Sequence, residues 1–416
     1  MRSRIFAVIT APAVILATLV FTSCSQREVE PGGTYYERKI APILISQCAT
    51  SPTGSSCHVT ADDRGNALGN LDVTTHELIA KRRDLLTNYG PYGMPALLMK
   101  AVPDYSMRIT HWDGTYDTVT KGVPHAGGTL IEVGTPSFST LSRWIERGAT
   151  ENNVSPKKTQ QATEPCVERV GHDSLFDPTK DPGTPDYQVF LEQVNPFLVQ
   201  NCAGANCHGV AEGAMMLSCG KTDEQKRWNY FSAKDYVATD ASQSELIRRV
   251  LDPAFGGTYH EGGHFFDTPE DGQYKAIEDW ARQLGGPTNI PPDPGFEFFA
   301  KRVQPMLAKR GCLQLGCHST PAFPGFSPRG GSNGYFSLPT TRANYRQSLK
   351  QLAIESPDPN ASRLLRKNLP PAPTGFGILH RGGPLFAAGG DPSVCDRTAA
   401  ETGPLDDQDP YCVIVT

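Results

Sequence analysis

Residues 201–208 read Asn-Cys-Ala-Gly-Ala-Asn-Cys-His, in which four residues separate two cysteines and a histidine follows the second one directly. Related stretches occur once upstream and once downstream. The three copies are Cys48…Cys57-His58, Cys202…Cys207-His208 and Cys312…Cys317-His318. The spacing between the cysteines is four residues in the last two copies and eight in the first. The chain therefore contains one pattern three times, and this pattern divides it into three related units.

A cysteine pair that ends in Cys-His is typical of covalent attachment of c-type haem. The two thiols form thioethers with the edge of the haem, and the histidine binds the iron from the proximal side. The usual spacing is two residues, so all three copies are widened. The pattern predicts three covalent haems with His58, His208 and His318 as proximal ligands. The alternative is that each cysteine pair forms a disulfide and that the histidines are incidental.

A proline-containing apolar segment precedes each copy at a similar distance. Pro42, Pro196 and Pro305 lie six, six and seven residues before the first cysteine, among aromatic and aliphatic residues at helical spacing. The spacing predicts a helix in each case, with the proline either in its first turn or at a kink within a longer helix.

A second histidine follows each copy in the pattern His-x-Gly-Gly. His125, His260 and His380 lie 67, 52 and 62 residues after the proximal histidines. We interpret them as distal iron ligands, because glycine lets the backbone approach a haem closely. Methionine is the alternative ligand, and Met94 is its candidate in the first copy, but the comparable stretch at Leu369 has none. Ligation by two histidines predicts low-spin, six-coordinate iron of low potential without an open position.

Further shared features extend the repeat. A serine followed by basic and apolar residues occurs in each unit, at Ser106, Ser244 and Ser362. Helices around Trp144 and Trp280 are predicted to close the first two units, each ending at glycine. The third unit stops after residues 411–416, where that helix would begin, so it either lacks the helix or is cut short.

The predicted fold class is mainly α with much loop, built as three tandem cytochrome c-like modules. The predicted ranges are a lipoprotein signal peptide at 1–23, a first module at 34–150, a linker at 151–185, a second module at 186–285, a linker at 286–295 and a third module at 296–416. The low hydrophobic content of 38%, with 40 glycines and 35 prolines, fits such a loop-rich chain. A large apolar cofactor would add buried apolar surface that the side chains of the sequence do not provide.

These features together resemble multihaem c-type cytochromes of the bacterial cell envelope, including the planctomycete-type cytochrome c modules. The resemblance covers about three hundred residues, and the first module fits it least well. It implies a small helical haem-binding fold in each module and a role in electron transfer, not catalysis. Its partners would be redox proteins of the envelope.

The remaining cysteines fit export to an oxidising compartment. A basic start and an apolar run from Ile5 to Phe21 predict an export signal, and Cys24 at its end resembles the lipid-bearing cysteine of bacterial lipoproteins. We expect a periplasmic or outer-membrane protein anchored through Cys24, with plain secretion or an uncleaved anchor as the alternative. Of eleven cysteines, four are then left for disulfides. Local pairing favours Cys166–Cys219 and Cys395–Cys412, although other pairings are open.

Other functions remain to be weighed against an electron carrier. One is an exported oxidoreductase whose first module has a catalytic iron with an open position, because Met94, His111 and His125 all compete there. Another is a disulfide-stabilised binding lipoprotein without haem. The net charge of −5 and the absence of a long basic run exclude nucleic acid as a partner. The histidines outside the repeat are interpreted as surface or supporting residues, and His264 is the closest competitor of His260. They are His76, His111, His172 and His264.

Overall fold

Helices and irregular loops make up most of the chain, and the prediction of a mainly α fold is confirmed. The computed structural model describes residues 33–49, 57–59, 67–87, 90–153, 164–210, 215–258, 260, 262–314, 318, 325–371, 377–380, 383–386 and 389–416. Within them, residues from Thr34 to Thr416 form one compact unit. No described helix has the length and apolar character that crossing a bilayer requires.

The secondary structure consists of short helices, a few wide or tight helical turns and three strands. The α-helices are α1 Ala41–Leu44, α2 His76–Ala80, α3 Arg83–Leu86, α4 Ala96–Ala101, α5 Pro136–Glu146, α6 Pro185–Val189, α7 Asn195–Asn201, α8 Asp223–Lys234, α9 Glu245–Arg248, α10 Gly272–Leu284, α11 Pro294–Phe298, α12 Gln304–Lys309, α13 Leu338–Leu349, α14 Arg363–Arg366, α15 Arg397–Thr402 and α16 Pro410–Val415. The π-helical turns are Tyr36–Ile40, Ile45–Ala49, Phe190–Val194 and Phe299–Val303. The 3₁₀ turns are Leu68–Asn70, Ala241–Gln243, Pro253–Phe255, Pro359–Ala361, Pro392–Val394 and Leu405–Asp407. The strands are β1 Ser106–His111, β2 Tyr116–Thr120 and β3 Tyr335–Phe336.

The proline before each cysteine pair lies inside a longer helix. In the second module the helix runs from α6 through the wide turn Phe190–Val194 into α7, where Pro196 is the second residue. Proline has no N–H, and its ring collides with the carbonyl four residues earlier, so a regular helical ladder cannot pass it. The wide turn gives the backbone the extra room. Pro42 and Pro305 follow wide turns in the same way, so the kinked longer helix is the arrangement found.

A closing helix packs on the proline-containing helix of each module. Trp144 of α5 and Trp280 of α10 are fully buried, with their ring centres 5.7 Å from Tyr36 and 5.2 Å from Phe190. In the third module α16 packs on the corresponding helix, and Val413 lies in the same buried cluster. The six residues of α16 thus take the place of the tryptophan helix.

Backbone hydrogen bonds align the short helices α4, α9 and α14 across the modules. At or just after the end of each helix, one carbonyl accepts from the two amides that lie five and six residues after the second histidine. The bonds join Ala101 to Leu130 and Ile131, Val250 to Phe265 and Phe266, and Asn368 to Leu385 and Phe386. In this alignment Pro95 is the counterpart of Ser244 and Ser362.

The predicted equivalence of Ser106 is therefore wrong. Ser106 is the first residue of β1, whereas Ser244 and Ser362 directly precede helices. The first module has an insertion here, since His125 lies 24 residues after Ala101 but His260 lies only 10 residues after Val250. The sequence match at Ser106 arose from similar composition within the inserted hairpin.

The inserted hairpin packs into the core of the third module. The sheet order is β2-β1-β3, with β1 antiparallel to β2 and parallel to β3. The registers are Ser106↔Thr120 through Thr110↔Tyr116, and Thr110↔Tyr335 with His111↔Phe336. Met107, Ile109 and Val119 point to one face and share a buried cluster with Met306 and Phe336. The hydrophobic core is consequently continuous across the predicted boundaries of the first and third modules.

Two disulfides are formed among the described residues, and they are the two pairings that local separation favoured. Cys166 bonds to Cys219 over 53 residues, and Cys395 bonds to Cys412 over 17 residues. The first draws part of the predicted linker 151–185 onto the second module, where Gly171 packs directly on Trp228. The second joins the loop after 3₁₀ turn Pro392–Val394 to α16.

Loss of each disulfide is expected to lower the free energy of unfolding, and somewhat more for the disulfide that closes the longer loop. Replacing both Cys395 and Cys412 with serine should cost about 3 kcal/mol, and the same change at Cys166 and Cys219 about 4 kcal/mol, because the longer loop constrains the unfolded chain more. Urea unfolding under non-reducing conditions measures both values. An unchanged transition in either variant would contradict the pairing.

Candidate cofactor site

The two histidines predicted as axial ligands face each other in all three modules. The ring centres are 6.2 Å apart for His58 and His125, 5.9 Å for His208 and His260, and 5.9 Å for His318 and His380. The planes of the rings are parallel to within 6°, 6° and 19° in the same order. The partners in each pair come from distant parts of the chain, so three independent foldings of the backbone produce one arrangement.

All six imidazoles are oriented by the backbone through the same nitrogen. Each Nδ1 lies within hydrogen-bond distance of a carbonyl oxygen, which makes Nδ1 the protonated nitrogen and leaves the lone pair on Nε2. The bonds are His58 to Leu68 at 2.9 Å, His208 to Met215 at 2.9 Å, His318 to Phe326 at 3.2 Å, His125 to Gly128 at 3.0 Å, His260 to Gly263 at 2.9 Å and His380 to Gly383 at 3.0 Å. Metal-ligating histidines are commonly fixed in this way by a backbone carbonyl.

The separation of the rings fits two imidazoles that bind one metal ion from opposite sides. An imidazole nitrogen binds a first-row metal at about 2 Å, and the ring centre lies roughly 1 Å further away. Two axial rings should therefore have centres about 6 Å apart, which matches all three pairs. The residues present thus fit an iron with two axial histidines.

Backbone hydrogen bonds close the cysteine loops before the first two proximal histidines. The amide of His58 donates to the carbonyl of Cys48 at 3.1 Å, and that of His208 donates to Cys202 at 2.9 Å, so both loops close on themselves despite their different lengths. Cys48, Cys202 and Cys207 carry free thiols. Burial raises the pKa of Cys48 to about 11 and that of Cys202 to about 12, so both thiols are protonated at neutral pH. Cys317, like Cys24, lies outside the described residues.

The glycines of His-x-Gly-Gly build a turn that holds the second imidazole. The second glycine of each motif has a positive φ of 70°, 81° or 76°, at Gly128, Gly263 and Gly383 respectively. Its amide donates to the carbonyl of the histidine, and its own carbonyl accepts from Nδ1. A Cβ on the first glycine would lie 3.0 Å from Cε1 of His125 in the first module and 3.2 Å from Cε1 of His260 in the second. Glycine is therefore required to orient the ring, a more direct role than the expected approach to the haem plane.

A further glycine lies three residues before each second histidine and was missed in the sequence. These residues are Gly122, Gly257 and Gly377. A Cβ on Gly257 would lie 1.8 Å from the carbonyl oxygen of Leu251, and one on Gly377 would lie 1.9 Å from that of Leu369. The complete pattern is Gly-x-x-His-x-Gly-Gly, which a longer comparison of the three copies would have found.

A cavity of about 450 Å³ lies at the pair His208 and His260. Such a volume is in the range of sites for small molecules and cofactors. Apolar side chains of the second module line much of it, and a segment of the third module that includes Ser327, Pro328 and Arg329 forms one wall. This segment follows Phe326, whose carbonyl orients His318. One stretch of backbone therefore serves both the second and the third histidine pair.

A buried carboxylate, Glu245, also lines this cavity. It accepts hydrogen bonds from Ser332 Oγ at 2.6 Å, from Ser337 Oγ at 2.5 Å and from Arg249 Nη2 at 2.8 Å. Burial alone would raise the pKa of Glu245, but the charge of Arg249 and the two hydroxyl groups outweigh it and lower the pKa. The carboxylate is therefore ionised at neutral pH, and it fixes Arg249 at the edge of the cavity.

Burial favours the neutral form of four of the six ligand candidates. It is the largest cause of the lowered pKa of His58, His208 and His318, and it lowers the pKa of His260 to about 4. A neutral imidazole is the form that binds a metal. The lowered pKa therefore favours the ligating form of these four rings.

The competing side chains lie elsewhere. His264 is 3.3 Å from Asp252 and 3.4 Å from Asp267, apart from the pair that contains His260. His76 contacts the carbonyl of Ala149 at 2.8 Å, and His111 contacts Asp117 at 2.8 Å. The last two are His172, which is exposed, and Met94, which packs against the apolar clusters of the first and third modules.

The structure thus brings together each predicted pair of axial histidines. It also supplies what the sequence did not reveal, namely the Nδ1 acceptors, the third glycine of each motif and the shared wall of the second cavity. Comparison with protein-family models, with curated proteins and with solved structures finds no match to this chain.

Proposed function

We propose that the protein is a c-type cytochrome that binds three covalent haems and relays single electrons between redox proteins of the cell envelope. The observation that carries the proposal is the threefold recurrence of parallel imidazoles 5.9–6.2 Å apart. In each pair one ring directly follows a cysteine pair in the chain. A structural histidine pair would have no reason to recur three times at the separation of two axial ligands.

The side chains would hold haem c as follows. The cysteines attach it through Cys48 and Cys57, Cys202 and Cys207, and Cys312 and Cys317, and the three histidine pairs bind its iron. When bound, the haem supplies reversible one-electron exchange between Fe(III) and Fe(II). The backbone carbonyls keep the proton on Nδ1 of every imidazole, so the lone pair of each Nε2 would be available to bind the metal.

Ligation from both sides favours electron relay over catalysis. A catalytic iron needs an open position for its substrate, and two histidines leave none. In the first module, where Met94 and His111 competed as ligands in the sequence, the ring geometry matches that of the other two modules. That match argues against an exported oxidoreductase whose first iron is open, and the paired rings argue against a binding lipoprotein without haem.

The proposal is tested on protein produced in a host that attaches haem c. Pyridine haemochrome analysis and intact mass are expected to give three covalent haems per chain, and visible spectra should be low-spin in both oxidation states. A chain without haem would overturn the proposal. A high-spin band, or rapid binding of CO after reduction, would instead favour the enzyme.

The proposed anchor is a lipid on Cys24. Radiolabelled fatty acid should be incorporated into the chain in a bacterial host and lost when Cys24 is replaced by serine. Incorporation that persists in the variant would exclude this residue as the anchor, and the haem content serves as a control because it should not change.

A further inference from the structure

A positively charged residue occupies the same position beside all three histidine pairs. The backbone bonds that align α4, α9 and α14 make Lys100, Arg249 and Lys367 equivalent, each one residue before the carbonyl that defines the alignment. The preceding position does not share this property, because it holds Met99 in the first module and arginine in the other two. The repeat therefore includes a cation that its sequence motifs did not reveal.

In the second module this cation lies on the cavity. Leu246, Arg249 and Val250 all line the space that contains His208 and His260. These positions are spaced as i, i+3 and i+4, so they form one face of the helical segment. That face offers an apolar side chain first and a positive charge one turn later.

The corresponding residues of the other modules are lysines, at the position that the aligned backbone bonds define. Lys367 Nζ donates to the carbonyl of Leu379 at 2.7 Å, directly before His380. Both lysines are only partly buried, so their ammonium groups can reach a ligand in the site.

We propose that Lys100, Arg249 and Lys367 bind the carboxylate groups of the cofactor. The inference rests on the proposed function, since it concerns how that cofactor is oriented. A haem has an apolar macrocycle and carries two carboxylates at one edge, which matches a leucine and a cation one turn apart. The guanidinium of Arg249 binds Glu245 and Ser332 through Nη2 at the edge of the cavity, and its planar fork of N–H groups suits a carboxylate.

The test compares neighbouring cations in the third module. In the Lys367→Met variant of the haem-loaded protein, one of the three haems should be harder to reduce, because its carboxylates lose a compensating charge and the ferric form is favoured. At a fixed potential, the ratio of oxidised to reduced haem should rise by up to about fivefold, which corresponds to the energy of a partly exposed ion pair. Spectroelectrochemistry measures it, and resonance Raman spectra should show a changed carboxylate bending mode.

Arg366→Met is the matched control, because Arg366 is exposed and its counterpart in the first module is already Met99. A shift with Lys367→Met that exceeds the control, and that Lys367→Arg restores, supports the proposal. Equal shifts in the two methionine variants, or none, overturn it. Lys100→Met repeats the test in the first module if Lys367→Met is not recovered folded. Absence of covalent haem in the unmodified protein would instead overturn the proposed function.

Discussion

Replacement of His260 by alanine is expected to convert one of the three haems to a high-spin form that binds CO after reduction. His260 faces His208 with parallel rings 5.9 Å apart, and its Nδ1 is already bound to Gly263. If the proposed haem is bound there, removal of this ring would leave its iron with one histidine ligand and room for CO. Because the other pairs are intact, about one third of the haem should change in visible and EPR spectra.

The matched control is His264→Ala, four residues further along the chain. His264 lies beside Asp252 and Asp267, so its loss should leave all three haems low-spin. If His264→Ala produced the high-spin signal and His260→Ala did not, the distal ligand would have to be assigned to His264 instead of His260.

Methionine in place of His260 is expected to raise the potential of the same haem, because methionine ligation favours the ferrous state.

The second large effect is expected from Gly257→Ala. The new Cβ would lie 1.8 Å from the carbonyl oxygen of Leu251, which is backbone and cannot move aside as a flexible side chain would. The turn that leads to His260 must therefore shift. Overpacking of this severity should lower the free energy of unfolding by about 3 kcal/mol or more, and the second haem should lose its distal ligand. Urea unfolding and visible spectra measure the two consequences.

Gly272→Ala provides the comparison for Gly257→Ala. Gly272 begins α10, and a Cβ there would meet no atom within 4 Å. Because alanine also favours helix over glycine, the unfolding free energy should stay the same or rise slightly. Similar losses in both variants would show that the contact with Leu251 is not the cause.

The sequence predicted several of the elements that repeat and missed the hairpin, which occurs once. His208 was paired with His260 because each lies in a motif that has two counterparts, and the structure brings the two rings together. The hairpin of β1 and β2 has no counterpart, so its residues were fitted to the repeat at Ser106, where only composition agreed. That the two histidines of each pair bind one iron stays a prediction.

Contacts between modules could not be predicted from the sequence, for a different reason. Arg329 lines the cavity of His208, yet the two residues lie in different predicted modules. Local propensity and periodicity report which face of a helix is buried, but not what covers it. The same limit hid the cation at Lys100, because its equivalence to Arg249 depends on backbone bonds and not on a shared sequence motif.

The inserted hairpin has a consequence for the kinetics of folding. Tyr92, just before α4, donates to the carbonyl of Ala308, 216 residues later, and β1 pairs with β3. Contacts of such large sequence separation form late, because the entropy of closing the intervening loop must be lost first. During synthesis, Ile109 and Val119 therefore lack part of the cluster that buries them until Met306 and Phe336 have been added to the chain. We expect this hairpin to need protection from aggregation before folding is complete.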